Sequence, residues 1–308
     1  MARTTQTVEV DGRRLGLSNL EKVLYPATGT TKAEVVAYYT SVAPVLLPLV
    51  AGRPVTRKRW PDGVESAPFF EKNAPMGTPD WVRTVRLPVP GSTKARETID
   101  FALIDDLAGL VWTANLAALE IHVPQWTVGP RGAVRGPDRL VVDLDPGAPA
   151  GLAECTQVAF AARERLAADG LECIPVTSGG KGMQLYAPIS GRQDAMTVHG
   201  YARAVAEELE RAMPKLVVSR MTKALRPGKV LFDWSQNHPA KTTISPYSLR
   251  GRELPTVATP RSWSELEAVS SSTRLAQLTL DEVLERLAGP DGDLAAPLLT
   301  KGPRLPGA

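Results

Sequence analysis

Arg139-Leu140-Val141-Val142-Asp143-Leu144-Asp145-Pro146-Gly147 is an apolar run that carries two acids and ends in a turn signal. Side chains alternate across a strand, so Leu140, Val142 and Leu144 face one way while Asp143 and Asp145 emerge together on the other. Like charges about 6 to 7 Å apart along the strand raise each other's pKa and cost folding energy unless cations compensate. A divalent metal is the economical answer. Oxygen ligands of this kind suit Mg²⁺ or Mn²⁺, which keep positions open for water and for substrate phosphates. Taken alone, an Asp-x-Asp before Pro-Gly also reads as two surface acids at a turn.

Downstream of this strand the pattern predicts a helix over 152–168 stopped by Gly170, strands over 172–177 and 183–187, a helix over 195–213 stopped by Pro214, and a strand over 230–234. Strand, helix, strand, strand, helix, strand is the order of a ferredoxin-like or RNA-recognition-like core. Upstream, Thr31 and Glu34 form a capping-box signature before Val35, Val36, Tyr39, Val42 and Ala43, a helix expected to end before Pro48. Leu107, Leu110, Val111, Ala114 and Ala118 trace a face of another helix, and strands are expected over 55–60 and 81–87. A last capping box pairs Thr279 with Glu282, and the Pro- and Gly-rich residues from Gly289 read as a mobile tail. The fold class is therefore mixed α/β (α+β).

Composition agrees with a packed protein. The chain has 308 residues, 43% hydrophobic and 22% charged, enough for a sizeable core and too apolar for a mainly disordered chain. Cys155 and Cys173 cannot build a disulfide framework, which points to a reducing, cytoplasmic setting. The start has no apolar targeting core, and no membrane partner is expected. Net charge is only +3, but it is unevenly spread. Between Pro214 and Arg252 stand Lys215, Arg220, Lys223, Arg226, Lys229, Lys241, Arg250 and Arg252, with Asp233 as the only acid. Such a stretch is either a solvated basic face or a seat for an anion.

Asp233 sits in a second apolar strand, Val230-Leu-Phe-Asp-Trp234. A third carboxylate would complete a two-metal site for in-line phosphoryl transfer, although by itself it also fits a local ion pair. The third segment, Cys173-Ile-Pro-Val-Thr-Ser-Gly-Gly-Lys-Gly182, runs from a strand into a glycine turn bearing Ser178 and Lys181. Glycines let backbone N–H groups approach a phosphate, and the lysine adds a point charge. The spacing is not that of a Walker motif.

Jointly these segments resemble the primase-polymerase superfamily, most closely the polymerase domain of bacterial non-homologous end-joining ligase D proteins. Asp143-Leu-Asp145 is similar to the family's first motif, Ser178-Gly-Gly-Lys-Gly182 to its second and Phe232-Asp-Trp-Ser-Gln-Asn237 to its third. Pro61-Asp-Gly-Val64, Phe69-Phe-Glu-Lys72, Glu120-Ile-His122 and Lys241-Thr-Thr-Ile-Ser-Pro-Tyr-Ser-Leu-Arg250 match as well. The resemblance implies one primase-polymerase domain over 1–288, with an N-terminal module of about 1–100 packed on a catalytic core of about 101–288, and a tail over 289–308.

It also implies a nucleotidyltransferase that adds nucleotides to primer 3′ ends at gaps or double-strand breaks. Two Mn²⁺ or Mg²⁺ ions would be held by Asp143, Asp145 and Asp233. The incoming ribo- or deoxyribonucleoside triphosphate would meet Lys58, His122, Ser178, Lys181, Gln236 and Arg250. Lys22 and Lys32 match lysines that recognise a recessed DNA 5′-phosphate. Phe69 and Phe70 match aromatics near the template, of which strand alternation lets one stack while the other enters the core. The end-binding protein Ku and a DNA ligase are implied partners, in the bacterial cytoplasm at the nucleoid. One position departs from the pattern: the family's second motif continues to a histidine, and this chain has Gln184, which never carries positive charge. The chain shows no Lys-x-Asp-Gly adenylation motif of a ligase, so it reads as a stand-alone polymerase or an excised domain. Two other readings of the same residues are a non-catalytic module that bridges DNA ends and a primase that starts strands de novo.

Overall fold

A computed structural model describes residues 5–89, 97–269 and 275–306 of the chain. Two sheets organise it. The first runs through strands β1 (Thr56–Arg59), β2 (Phe69–Glu71), β3 (Ala118–Val123) and β9 (Thr243–Ile244), in the order β9-β3-β1-β2. The second comprises β4 (Arg139–Pro146), β5 (Ile174–Thr177), β6 (Met183–Pro188), β7 (Val217–Val218), β8 (Val230–Asp233) and β10 (Thr259–Pro260), in the order β7-β8-β4-β6-β5-β10. Helices α1 (Lys32–Val50) and α2 (Leu107–Asn115) belong with the first sheet, and α3 (Leu152–Ala168) and α4 (Ala195–Ala212) with the second.

The second sheet has the expected core order, with β4 flanked by β6 and β8, both antiparallel to it. Its two faces differ in chemistry. Leu140, Val142 and Leu144 are buried with Val158 and Ala162 of α3, Val198 and Ala202 of α4, and Phe232 of β8. The alternate side chains of β4, Asp143 and Asp145, therefore point away from the helices. Each helix is closed by local chemistry: Asp194 caps α4 by accepting from the Met196 and Thr197 N–H groups, and Gly170 takes φ +75° just past α3.

In the first module, α1 and α2 pack on the sheet through Val35, Tyr39, Leu46, Leu110, Leu119 and Ile121. Thr31 and Glu34 form the reciprocal capping box that the sequence indicates. The helix nevertheless runs through Pro44 and Pro48 rather than ending before them. Both prolines lie one turn apart on the exposed side, where water can satisfy the carbonyls that lose their partners. Although α1 is long and apolar enough to cross a bilayer by composition, its apolar residues form this core.

Three expectations need correction. The module boundary does not fall near residue 100, because α2 and β3 share the first core, and residues 244–258 and helix Leu280–Ala288 return to it. Ala118 is not on a helical face: α2 ends at Asn115, Ala117 adopts φ +55°, and Ala118 opens β3. The segment from Gly289 is no loose tail through its described part. Leu298 is buried in the first core and Leu305 in the second, and the Ser190 N–H donates to the Pro303 carbonyl. Residues 307 and 308 lie outside the described residues.

Candidate active site

Pairing of β4 with β8 sets Asp143 directly opposite Asp233. With Asp145 two residues along the same face, the three carboxylates place one oxygen each within 4.8 Å of one another. Burial first, then the Asp145 and Asp233 charges, push Asp143 well above the ordinary carboxylate range, against a hydrogen bond from Gln184 and the charge of Arg250. Burial and Asp233 likewise raise Asp145, with Arg226 and Arg250 opposing. Asp233 is fixed by its own surroundings. Its Oδ1 accepts from the Ser235 N–H at 3.0 Å and the Ser235 hydroxyl at 2.6 Å, and its Oδ2 from the Gln236 amide at 2.9 Å.

Asp143 and Asp145 open onto a cleft of about 190 Å³ lined also by His122, Ser178, Lys181, Gln184, Gln236, Arg250 and Arg252. One end is acidic and the other basic. The glycine turn at the basic end is clamped: the Gly179 N–H donates to Gln277 Oε1 at 2.6 Å, and Gln277 Nε2 donates to the Gly182 carbonyl at 3.0 Å. Gly179 adopts φ +66°, and a Cβ there would fall 2.5 Å from Arg250 Cγ, so the turn lies directly against that arginine. Gln184 stands opposite Asp143 on β6, and its Oε1 accepts from the Tyr186 hydroxyl at 3.0 Å.

Of the nucleotide candidates, His122, Ser178, Lys181, Gln236 and Arg250 converge on the cleft. Lys58 is not among its lining residues. It lies 4.7 Å from the centre of the Trp60 ring and 5.3 Å from that of Phe70, with its ammonium 3.7 Å from Glu120. Burial lowers the Lys58 pKa, with Glu120 opposing.

Glu120 is the residue that sequence reading passed over, although it begins a quoted run. Its Oε2 is 2.8 Å from His122 Nε2. Burial disfavours its charge, but the His122 hydrogen bond, followed by the charges of Arg250, His122 and Lys58, brings its pKa down to about 2. The imidazole moves down too: burial lowers the His122 pKa, and the Arg250 and Lys58 charges add to this against the pull of Glu120. A neutral ring that donates from Nε2 to Glu120 keeps Nδ1 as an acceptor.

The DNA candidates divide. Lys22 is half-buried and pairs with Asp62 at 2.8 Å. Lys32 is 5% exposed, and its ammonium donates to the Ser18 carbonyl, so it does not present an open phosphate contact of the kind expected. The hairpin formed by strands Thr5–Val10 and Arg13–Ser18 provides that acceptor. Phe69 and Phe70 are 43% and 60% exposed, so neither enters the core. They do alternate, but β2 is the edge of its sheet and both of its faces are open. Phe69 lies on Arg59, while Phe70 meets Lys58 and the edge of His122. A groove of about 930 Å³ runs beside Phe70, lined by Met76, Phe101 and Trp126, and shares Thr242 with the acidic cleft.

An RNA-recognition-like sheet that gathers three acids beside a cleft bearing Lys181, Arg250 and Arg252 defines a nucleotidyltransferase of the primase-polymerase class. The family model for the LigD primase-polymerase domain matches residues 31–295, and the chain belongs to that family. It is 48% identical over 291 residues to the multifunctional non-homologous end joining protein LigD of Mycolicibacterium smegmatis, covering 94% of this chain and 37% of that protein. Identity to the bifunctional non-homologous end joining protein LigD of Bacillus subtilis is 34%, covering 89% and 42%. The chain thus spans well under half the length of these relatives. Among solved structures, it superposes on the polymerase domain from Mycobacterium tuberculosis Ligase D in complex with DNA with a TM-score of 0.87 and 48% identity, covering 94% of this chain and 99% of that one.

Proposed function

We propose that this chain adds nucleotides to primer 3′ ends at gaps and double-strand-break ends, as the polymerase component of non-homologous end joining. The observation that carries it is the convergence of Asp143, Asp145 and Asp233 within 4.8 Å, with Asp143 and Asp145 lining a cleft that also bears Lys181, Arg250 and Arg252. Three carboxylates that each offer an oxygen within 4.8 Å of the others form a donor set suited to hard divalent cations, so Asp143, Asp145 and Asp233 would hold Mn²⁺ or Mg²⁺. Bound there, such ions supply Lewis-acid activation of the attacking hydroxyl and charge neutralisation at the transferred phosphate.

The protein's own groups prepare that chemistry. Ser235 and Gln236 fix Asp233, and Gln184 steadies Asp143. Lys181 and Arg250, facing the cleft across the glycine turn, take up charge on the triphosphate and on departing pyrophosphate. Ser178, Gln236 and His122 complete the nucleotide seat. On the DNA side, Lys22 fits an end-phosphate contact and Phe70 a stacking platform beside the groove. A ligase and an end-binding protein such as Ku would act with it on the same DNA, in the bacterial cytoplasm.

The test is primer extension on a 5′-phosphorylated gapped duplex, comparing Mn²⁺ with Mg²⁺ and ribonucleotides with deoxyribonucleotides. The parent chain should extend the primer, whereas Asp143→Ala and Asp145→Ala should lose extension and keep end binding. Unchanged repair function in both variants would instead identify an end-bridging module.

A further inference from the structure

A glutamate on a strand buried along almost its whole length needs a reason, because an unpaired carboxylate in such a place costs several kcal/mol (on the order of the burial penalty of a charged group). Glu120, 1% exposed on β3, has four partners drawn from three parts of the chain. Its Oε2 meets His122 Nε2 at 2.8 Å, and its Oε1 accepts from the Gly251 N–H at 3.1 Å. Oε1 also lies 3.7 Å from Lys58 Nζ and 3.7 Å from Arg250 Nε. The Arg250 Nε is buried without a hydrogen bond, so this charge contact holds the root of the guanidinium while its outer nitrogens reach towards the glycine turn at Gly180.

The approach of the Gly251 backbone is itself built in. A Cβ at Gly251 would fall 2.2 Å from the Trp60 ring, so only glycine lets this segment lie flat enough to donate to Glu120. The Tyr25 hydroxyl pins the neighbouring Arg250 carbonyl at 2.9 Å. Without a central anion, Lys58 and Arg250 would repel one another and His122 would lose its hydrogen-bond partner, so the three would lose their shared orientation.

We propose that Glu120 is a positioning residue for nucleotide binding: its buried carboxylate, backed by Lys58, holds His122 and Arg250 in one arrangement facing the cleft, though neither Glu120 nor Lys58 itself lines that cleft. The assignment rests on the polymerase function proposed above. It makes a prediction opposite in sign to simple electrostatics. A negative charge beside a triphosphate site repels the ligand, so its removal should tighten binding if charge alone mattered; if Glu120 acts by positioning, its removal loosens binding.

The experiment uses the full chain, Mn²⁺ and a ribonucleoside triphosphate in the gapped-duplex extension assay, with DNA-end affinity measured in parallel by fluorescence anisotropy. Glu120→Gln is expected to raise the nucleotide KM by on the order of tenfold or more, to change kcat less than KM, and to leave DNA-end affinity at the parent value. Glu120→Asp, which keeps the charge but shortens its reach, should fall between the two, and it carries the test alone if the Gln variant does not fold. A KM that is unchanged or lowered in the folded variant overturns the proposal, as does a loss of DNA-end affinity in step with KM. A parent chain that extends no primer overturns the function itself, and a parent that extends alongside an unaffected Glu120 variant overturns only the positioning role.

Discussion

Asp143 and Asp145 are placed where they oppose folding, and their raised pKa values record it. A carboxyl raised in the folded state contributes its full stability below the ordinary aspartate pKa and loses it as pH rises through the raised folded value. Asp143→Asn should therefore raise the Tm measured in chelator, by an amount that grows from pH 5 to pH 8, while abolishing nucleotide addition and the Tm increase on adding Mn²⁺. A variant melting at or below the parent at pH 8 in chelator would refute the mutual repulsion. Gln184 admits a second test. Gln184→His adds a group that can become cationic beside the cleft, so the nucleotide KM should fall; an unchanged KM would refute a charge-based role for that position. The acids were legible because strand alternation is local, and the placement of Asp143 opposite Asp233 follows from pairing two short apolar strands. Glu120 was not. Its strand is buried on both faces, so no alternation separates a buried acid from an exposed one. The burial of Lys32 was not legible for a similar reason, because its acceptor Ser18 belongs to a hairpin whose packing no local pattern records.

At the scale of elements, the site depends on how closely β6 approaches β4. Gly182 immediately precedes β6, and a Cβ there would fall 2.0 Å from the Leu144 carbonyl oxygen, a backbone atom with nothing flexible to yield. Gly182→Ala must push the two strands apart, which separates Gln184 from Asp143. Its expected cost is about 2 kcal/mol or more, by the measure of overpacked cores, together with loss of nucleotide addition. Gly200 is the matching control. It lies on the exposed face of α4 with no atom within 4 Å of an added Cβ, so Gly200→Ala should stabilise by about 0.5 to 1 kcal/mol and leave activity at the parent level. Thermal melts of both variants with primer extension would separate crowding from propensity. The helices and strands of the second sheet were readable because caps, stops and apolar runs agree with one another there. The limits of α1 and α2 were not: exposed prolines let one continue, and a left-handed Ala117 turns the end of the other into a strand.

For the molecule as a whole, the cleft lies between two cores, with His122 and Arg250 supplied from one side and Asp143 and Asp145 from the other. Anything that fixes the two modules in place also fixes the distance between His122 and Arg250 and the acids. The segment after Gly289 does this physically. Tyr247 donates to Asp293 at 2.5 Å, Leu298 is buried in the first core, and Leu305 is buried in the second, where its N–H and carbonyl both pair with the Gln193 amide at 2.8 and 3.2 Å. Gly302 passes so close to the Pro188 carbonyl that a Cβ would fall 1.9 Å away, which seats the strap against the end of β6. Its composition of proline and glycine describes a backbone without regular structure, and says nothing of the two leucines that anchor it. Leu305→Ala should cost about 2 to 4 kcal/mol, the range for a large buried aliphatic side chain, and loosen the second anchor. Removal of residues 289–308 should lower Tm further and raise the nucleotide KM more than it lowers DNA-end affinity, because the end-phosphate and stacking candidates Lys22 and Phe70 both lie on the first module. Differential scanning calorimetry with nucleotide titration decides it: a truncated chain that melts with the parent and keeps its nucleotide KM would show that the cores hold their spacing without the strap.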